Sequence, residues 1–318
     1  MNYPDTKIVA LCGGIGGAKL ALGLNHILNQ KNLSIITNTG DDFLYLGFYI
    51  CPDIDTVIYT LAGVNNPDTG WGRDDETWKT LDVLKELGAD TWFQLGDKDL
   101  ALHLFRSKEK RDGELLTTIT RKITNKFGLK TNVLPMSNHA VQTILETEDG
   151  EISFQDYFVR QKCKPKVSNV LFKSKKPVAT DAVKKALSDK KLDGVVFCPS
   201  NPYLSIDPIL SIKKIRKLIE NQKKPRVAIS PIVGHDSVKG PTSKLMNEMG
   251  IEVSSVSIAK HYKGLIDGII IDESDKEQED KIKQLGIEVK LSKIIVESKE
   301  EKIRLAKESI EFIQEIAS

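Results

Sequence analysis

Hydrophobic and polar positions fall in blocks along this chain, and the period changes from block to block. Lys7-Ile-Val-Ala-Leu-Cys12 is a short continuous apolar run, the pattern of a strand buried on both faces of a parallel sheet. It stops at Gly13-Gly-Ile-Gly-Gly17, after which Ala18, Leu20, Ala21, Leu24 and Ile27 recur at helical spacing. A second run, Leu33 to Ile36, ends at Thr37-Asn-Thr-Gly-Asp-Asp42. Strand, glycine turn, helix, strand is the order of a βαβ unit. The same grammar returns late, with strand candidates at 194–197, 226–229 and 266–271 and helical patterns over 208–220, 243–249 and 300–316.

The middle reads differently. Residues 74–87, 100–108 and 115–127 have helical patterns, and an alternating pair at 141–147 and 152–158 flanks Glu148-Asp149-Gly150 as a hairpin would. Lysine-rich stretches at 173–176 and 184–191 read as solvated surface. The pattern predicts an α/β fold: a Rossmann-like, mostly parallel sheet with helices on both faces, plus an α+β insertion subdomain. Residues 1–60 and 190–318 would form a discontinuous nucleotide-binding core, and 61–189 the insertion.

Composition narrows the class. The 318 residues are 40% hydrophobic and 28% charged, as in packed globular proteins and unlike disordered or collagen-like chains. Lys plus Arg (46) against Asp plus Glu (44) gives +2, so the chain as a whole offers nucleic acid no strong attraction. The four cysteines, Cys12, Cys51, Cys163 and Cys198, have neither CxxC nor zinc spacing and read as free thiols in a reducing cytosol. No apolar run approaches the roughly 18 residues of a membrane span, and a polar start leads straight into the first strand; a cytoplasmic protein without a signal peptide is expected.

Candidate chemistry sits at the ends of the apolar runs. Glycines between a buried strand and a helix let backbone N–H groups approach a phosphate at the positive helix end. Neither common fingerprint is met: Lys19 stands where GxGxxG needs its last glycine, and Ala18-Lys19-Leu20 does not complete a P-loop. Gly13, Gly14, Gly16, Gly17 and Lys19 are candidate phosphate-binding residues, although Lys19 can equally face water. Asp41, Asp42, Asp53, Asp55, Asp97 and Asp99 form acidic pairs at three loop junctions, two of them opening helices. Each can be a helix cap; three pairs together are also what a Mg²⁺ site beside a diphosphate uses. Pro199-Ser-Asn-Pro202 and Ser230 to Pro241 follow two later strands, where α/β sheets carry ligand loops, which brings in Ser200, Asn201 and Gly234. Trp71 and Trp78 can stack on a flat heterocycle or simply pack. His139 and His235 are possible site groups, whereas His26, His103 and His261 lie in helical patterns.

Taken in order, the motifs resemble one family. Cys12-Gly-Gly-Ile-Gly-Gly-Ala-Lys19, Asn38-Thr-Gly-Asp-Asp42, Pro52-Asp-Ile-Asp-Thr-Val57, Leu95-Gly-Asp-Lys-Asp99, Leu134-Pro-Met-Ser137, Pro199-Ser-Asn-Pro202, Ser230-Pro-Ile-Val-Gly234, Gly240-Pro241 and Lys244-Leu-Met246 span nearly the whole chain. This set is similar to the 2-phospho-L-lactate transferase (CofD) family of coenzyme F(420) biosynthesis. The resemblance implies a Mg²⁺-dependent transfer of a 2-phospholactyl or phosphoenolpyruvyl group from a guanylyl-activated donor. The acceptor would be the ribityl hydroxyl of the deazaflavin Fo, and GMP would leave. It places Asp42 and Asp55 as catalytic carboxylates, and Asp55, Asp97 and Lys98 at the acceptor. Asp41, Asp42 and Asp55 would hold the metal, and the glycine turn with Ser200, Asn201 and Gly234 the nucleotide and phosphates. The insertion would help form the acceptor site, its tryptophan-containing part covering the deazaflavin, and a homodimer is expected. The rival is a CofD-like regulator that binds a uridine nucleotide-sugar and transfers nothing; its strand-two motif reads closer to Asp-Asp-Gly-Gly-Ser-Ser, where this chain has Asp41-Asp42-Phe43-Leu44-Tyr45. A nicotinamide dehydrogenase is disfavoured by the broken GxGxxG.

Overall fold

The computed structural model describes residues 3–238 and 240–318. The apolar runs become one seven-stranded sheet: β1 (Ile8–Cys12), β2 (Leu33–Thr37), β3 (Asn132–Pro135), β4 (Gly194–Phe197), β5 (Arg226–Ile229), β6 (Gly268–Asp272) and β7 (Glu288–Ser292). Their order is β7-β6-β5-β4-β1-β2-β3, and every adjacent pair runs parallel. Successive residues of a strand point to opposite faces. Ile8, Ala10 and Cys12 of β1 therefore join one hydrophobic core and Val9 and Leu11 the other. Because both faces are covered, the central strands carry no polar alternation, which is why they read as unbroken apolar runs.

Four helices position the site: α1 (Gly14–Ile27), α2 (Pro52–Ala62), α3 (Asp97–Arg111) and α4 (Lys299–Ala317). Buried residues of α1, α2 and α4, such as Leu20, Ile54 and Ile310, share the core that receives Ile8 and Ala10. The chain leaves β1 toward β2 on one side, while β4 lies on the other. The carboxyl ends of β1 and β4 thus flank the crevice where the strand order reverses, the place where open α/β sheets bind ligands.

The α/β reading holds, with differences in detail. Strand β3 lies inside the 61–189 segment yet joins the core sheet beside β2, so that segment supplies an edge strand as well as the α+β elements. Strand β7 carries polar residues at alternate positions, as an edge strand does, and its apolar run is too short to read. The helix read over 208–220 is two, Asp207–Ser211 and Lys213–Glu220, broken at Ile212, whose backbone is extended. The helix read from 74 begins at Lys79, because 74–77 is drawn into contacts with the start of α3. The hairpin forms as Gln142–Thr147 and Gly150–Ser153, extended by Val167–Lys173 into a three-stranded sheet; its second arm is not the strand read over 152–158, because Asp156–Arg160 is helical. Among the described residues the cysteines are free, and no helix is long and apolar enough to cross a membrane.

Candidate active site

A cavity of about 710 Å³ opens at the carboxyl ends of β1 and β4. That is the size of a site for a nucleotide or drug-sized ligand. Its floor is made by the two loops expected to bind phosphate, and they are locked together. The Gly13 N–H donates to Ser200 Oγ at 3.1 Å, and the Ser200 hydroxyl donates back to the Gly13 carbonyl at 2.8 Å. Gly14 has φ +63°, and a Cβ on Gly16 would lie 2.6 Å from the Pro199 carbonyl oxygen. Glycine is needed here for a left-handed turn and for close backbone approach. Gly17, inside α1 and packed on Ser200, does not line the cavity.

A helix start leaves its first N–H groups without internal partners. At α1 that of Gly14 is taken by a carboxylate: it donates to Asp53 Oδ1 at 2.7 Å, while Asn38 Nδ2 donates to Asp53 Oδ2 at 2.9 Å. Asp53 therefore caps the neighbouring helix and not its own, whose N-cap residue, Cys51, makes no side-chain capping bond. Ile15 and Gly16, the next two residues of α1, line the cavity. Asn201 adds another donor. Its Oδ1 accepts from the Tyr203 and Leu204 N–H groups at 3.0 Å each, and its buried Nδ2 has no hydrogen-bond partner. Lys19 also lines the cavity, but its ammonium is held by the Val296 carbonyl and Glu297.

Four carboxylates reach the cavity: Asp41, Asp53, Asp55 and Asp99. Burial, with the charges of Asp53 and Asp42 added, pushes Asp41 well above the usual carboxylate range, and its Oδ1 has no partner. Burial brings Asp53 to about 6, against the opposing bonds from Gly14 and Asn38. Asp55 is 5% exposed and is gripped by Arg106, which is wholly buried: NH1 donates to Oδ2 at 3.0 Å and NH2 to Oδ1. Burial and the Arg106 charge hold His103, beside this pair, well below its ordinary pKa and so neutral. Asp99 accepts from the Tyr59 hydroxyl at 2.6 Å. A wall of Trp71, Tyr59, Trp92, Phe93, Phe154 and Phe158 completes the space, with Phe154 and Phe158 stacked at 5.3 Å.

Several expected residues lie outside this lining. Asp42 sits behind it, where burial pushes it up to about 8 and the Cys51 thiol donates to its Oδ2 at 3.2 Å; its Oδ1 has no partner. Asp97 accepts from Thr77, from the Lys79 N–H at 3.2 Å and from the Thr80 N–H at 3.0 Å, capping the helix Lys79–Glu86. Lys98 donates to the carbonyls of Asp74 and Asp75. The Gly234 N–H donates to Asp275 at 2.9 Å. His139, His235 and Trp78 are also away from the cavity. Asp41, Asp55, Gly13, Gly14, Gly16, Lys19, Ser200 and Asn201 do line it. No motif or spacing in the sequence marks Arg106, Tyr59, Phe154 or Phe158 as site residues. Besides Trp71, the adjacent Trp92-Phe93 pair just before Leu95-Gly-Asp is the sequence signal for the wall. Among the described residues no three His, Cys, Asp or Glu side chains form a ready-made metal cluster.

Comparison with known proteins fits this geometry. Residues 8–311 match the family described as 2-phospho-L-lactate transferase CofD. The chain is 37% identical over 299 residues to the 2-phospho-L-lactate transferase of Methanosarcina mazei, covering 94% of this chain and 98% of that one. It is 37% identical over 309 residues to the enzyme of that name from Methanocaldococcus jannaschii, covering 96% and 97%. It is also 34% identical over 320 residues to the phosphoenolpyruvate transferase of Streptomyces griseus, covering 98% and 99%. A crystal structure of a UPF0052-family protein from Bacillus halodurans superposes with a TM-score of 0.65 over 96% of this chain and 99% of that one; at 17% identity it shares the fold.

Proposed function

The chain belongs to the 2-phospho-L-lactate transferase CofD family and is a transferase of that family, and we propose that it moves a phospholactyl or phosphoenolpyruvyl group from a guanylyl-diphospho donor to the ribityl hydroxyl of Fo, releasing GMP. The observation that carries this reading is one cavity whose lining combines two chemically different sets of groups. One set suits phosphate: the glycine turn at the start of α1, with Ile15 and Gly16, and the unpartnered Asn201 amide. The other is an aromatic wall suited to a flat heterocycle. A phosphoryl centre attacked by a hydroxyl needs positioning and charge neutralisation more than covalent help from the protein.

Mg²⁺ fits the residues present. Mg²⁺ keeps several waters and takes one or two carboxylates plus substrate phosphates, so it needs no three-residue protein cage. Asp41, with an orphaned buried oxygen and the neighbouring charge of Asp53, supplies such a pair beside the glycine turn. Asp42, with its own orphaned oxygen, stands behind them. Asp55, expected at the metal, is already neutralised by Arg106, so Asp53 takes that place in the proposal. A bound Mg²⁺ would offset the charge of the diphosphate. The protein's own part is to aim backbone and amide donors at the phosphates; one preorganised donor of this kind is worth about 10²–10³ in rate. Asp97 and Lys98 would act on the acceptor through the 74–80 loop they hold in place.

The test is incubation with Fo, Mg²⁺ and each guanylyl donor, following product mass and GMP release. Turnover with either donor supports the reading and identifies the three-carbon unit. No turnover with either, together with binding of a uridine nucleotide-sugar, overturns it in favour of a non-enzymatic role.

A further inference from the structure

We propose that Asp99 is the catalytic base that takes the proton from the acceptor's terminal hydroxyl, an inference that rests on the transferase reading above. Of the four carboxylates at the cavity, three have both oxygens committed or stand beside the glycine turn. The oxygens of Asp53 accept from Gly14 and Asn38, and those of Asp55 from Arg106. Asp41 stands beside Asp53, which binds the glycine turn. Asp99 commits one oxygen only. Its Oδ1 accepts from Tyr59, while Oδ2 has no hydrogen bond among the described residues and faces the Trp71-Gly72 turn.

The surroundings of that free oxygen suit a polyol hydroxyl. A Cβ on Gly72 would lie 3.7 Å from Oδ2, so this oxygen stands within van der Waals reach of the Trp71-Gly72 turn. Gly72, Trp71 and Tyr59 line the same cavity, next to the aromatic wall where the heterocycle belongs. Tyr59 is itself braced by the Arg73 guanidinium, 5.2 Å from its ring centre, so the hydroxyl that orients Asp99 is fixed. Asp99 lies in the first turn of α3, where the helix dipole favours the carboxylate form, and its N–H is taken by Glu76.

Burial raises the Asp99 pKa to about 6. The Tyr59 bond and the Arg106 charge oppose that rise, and the charges of Asp55 and Glu76 add to it; His103, one turn along α3, is neutral. The group is ionised at neutral pH yet a better proton acceptor than an ordinary carboxylate. In the step, the acceptor hydroxyl gives its proton to Asp99 Oδ2 as its oxygen bonds to phosphorus. The bond from phosphorus to the nucleotide phosphate oxygen breaks, and its electron pair leaves with GMP. The proton then passes from Asp99 to solvent.

The experiment compares wild type, Asp99→Asn, Asp99→Glu and Asp99→Ala with Fo and whichever donor the wild type uses, each checked for folding by its thermal midpoint. Asp99→Asn is expected to lower kcat by about 10²–10⁴-fold with little change in either KM. Asp99→Glu is expected to keep part of the activity, and added formate to restore part of it to Asp99→Ala by supplying a carboxylate in the vacated space. A folded Asp99→Asn with near-wild-type kcat overturns the assignment while leaving the transferase reading intact. So does an Asp99→Ala that formate fails to restore while Asp99→Glu is equally dead. A wild type inactive with both donors overturns the transferase reading, and this assignment falls with it.

Discussion

Replacing Arg106 with methionine tests whether the Asp55–Arg106 pair organises this site. The guanidinium is wholly buried and bonds both oxygens of a carboxylate that is 5% exposed. Methionine fills most of the aliphatic volume, so the main change is electrostatic: Asp55 is left charged, buried and unpaired. Breaking a buried pair in this way costs about 3–5 kcal/mol, a large share of the roughly 5–15 kcal/mol by which domains are stable. At about 2–4 °C per kcal/mol for large domains, the thermal midpoint should fall by about 10 °C. Adding Asp55→Asn to Arg106→Met removes the stranded charge and should recover about half of the loss, so the two changes are strongly non-additive. Urea denaturation of the wild type, both single variants and the double variant supplies the cycle. An Arg106→Met variant within about 1 kcal/mol of wild type, or additive changes, refutes the reasoning. The same pair bears on Asp55→Asn, the direct substitution of a carboxylate that the family resemblance places in catalysis. That variant leaves a guanidinium buried with half a partner, so its activity must be judged against its stability.

Three further outcomes are expected. Asn201→Asp keeps the oxygen that caps Tyr203 and Leu204 but replaces the free amide by a carboxylate; donor KM should rise by about 10–100-fold, and an unchanged KM in steady-state assays removes Asn201 from the phosphate site. Gly16→Ala places a Cβ 2.6 Å from the Pro199 carbonyl, which should cost about 1–3 kcal/mol and weaken GMP binding by calorimetry; wild-type stability and affinity would show that the loop yields freely. Mg²⁺ should raise the thermal midpoint of the substrate-free protein. Asp41→Asn should raise the metal-free midpoint by removing the cost of burying a carboxyl that ionises in the unfolded chain, yet abolish the Mg²⁺ shift. A shift that survives in Asp41→Asn places the cation elsewhere.

The central fold was legible because burial on both faces writes itself into the sequence as unbroken apolar runs, as in Ile8 to Cys12. Strands β3 and β7 were not, since at the sheet margins Asn132 and Glu288 sit beside solvent and short mixed runs carry little periodic signal. The division at Ile212 was hidden for a related reason: the residue is fully buried and apolar, so the helical pattern runs straight through a backbone break. The glycine turn was placed correctly, but what fills its helix end came from elsewhere in the chain. Asp53 lies 39 residues from Gly14, and no local spacing announces that a carboxylate will occupy one of the N–H groups expected to meet phosphate.

The acidic pairs show how one sequence feature divides into separate roles. In a helix, residues two apart point about 200° away from each other and do not share a face. Asp97 and Asp99 open α3 at that spacing, so when Asp97 turns to cap the helix Lys79–Glu86, Asp99 must turn the other way, into the cavity. Asp53 and Asp55 open α2 in the same manner. One reaches the start of α1 and the other reaches Arg106, 51 residues away on α3. A motif of paired aspartates therefore announces a junction where two helices are tied to their neighbours, and each pair delivers different carboxylates to different surroundings. Which member faces the substrate is decided by the partner that claims its twin, and those partners (Gly14, Arg106, Thr80) are distant in sequence. This is why Asp99, the member of its pair with a free oxygen, could be ranked only after the fold had assigned the others.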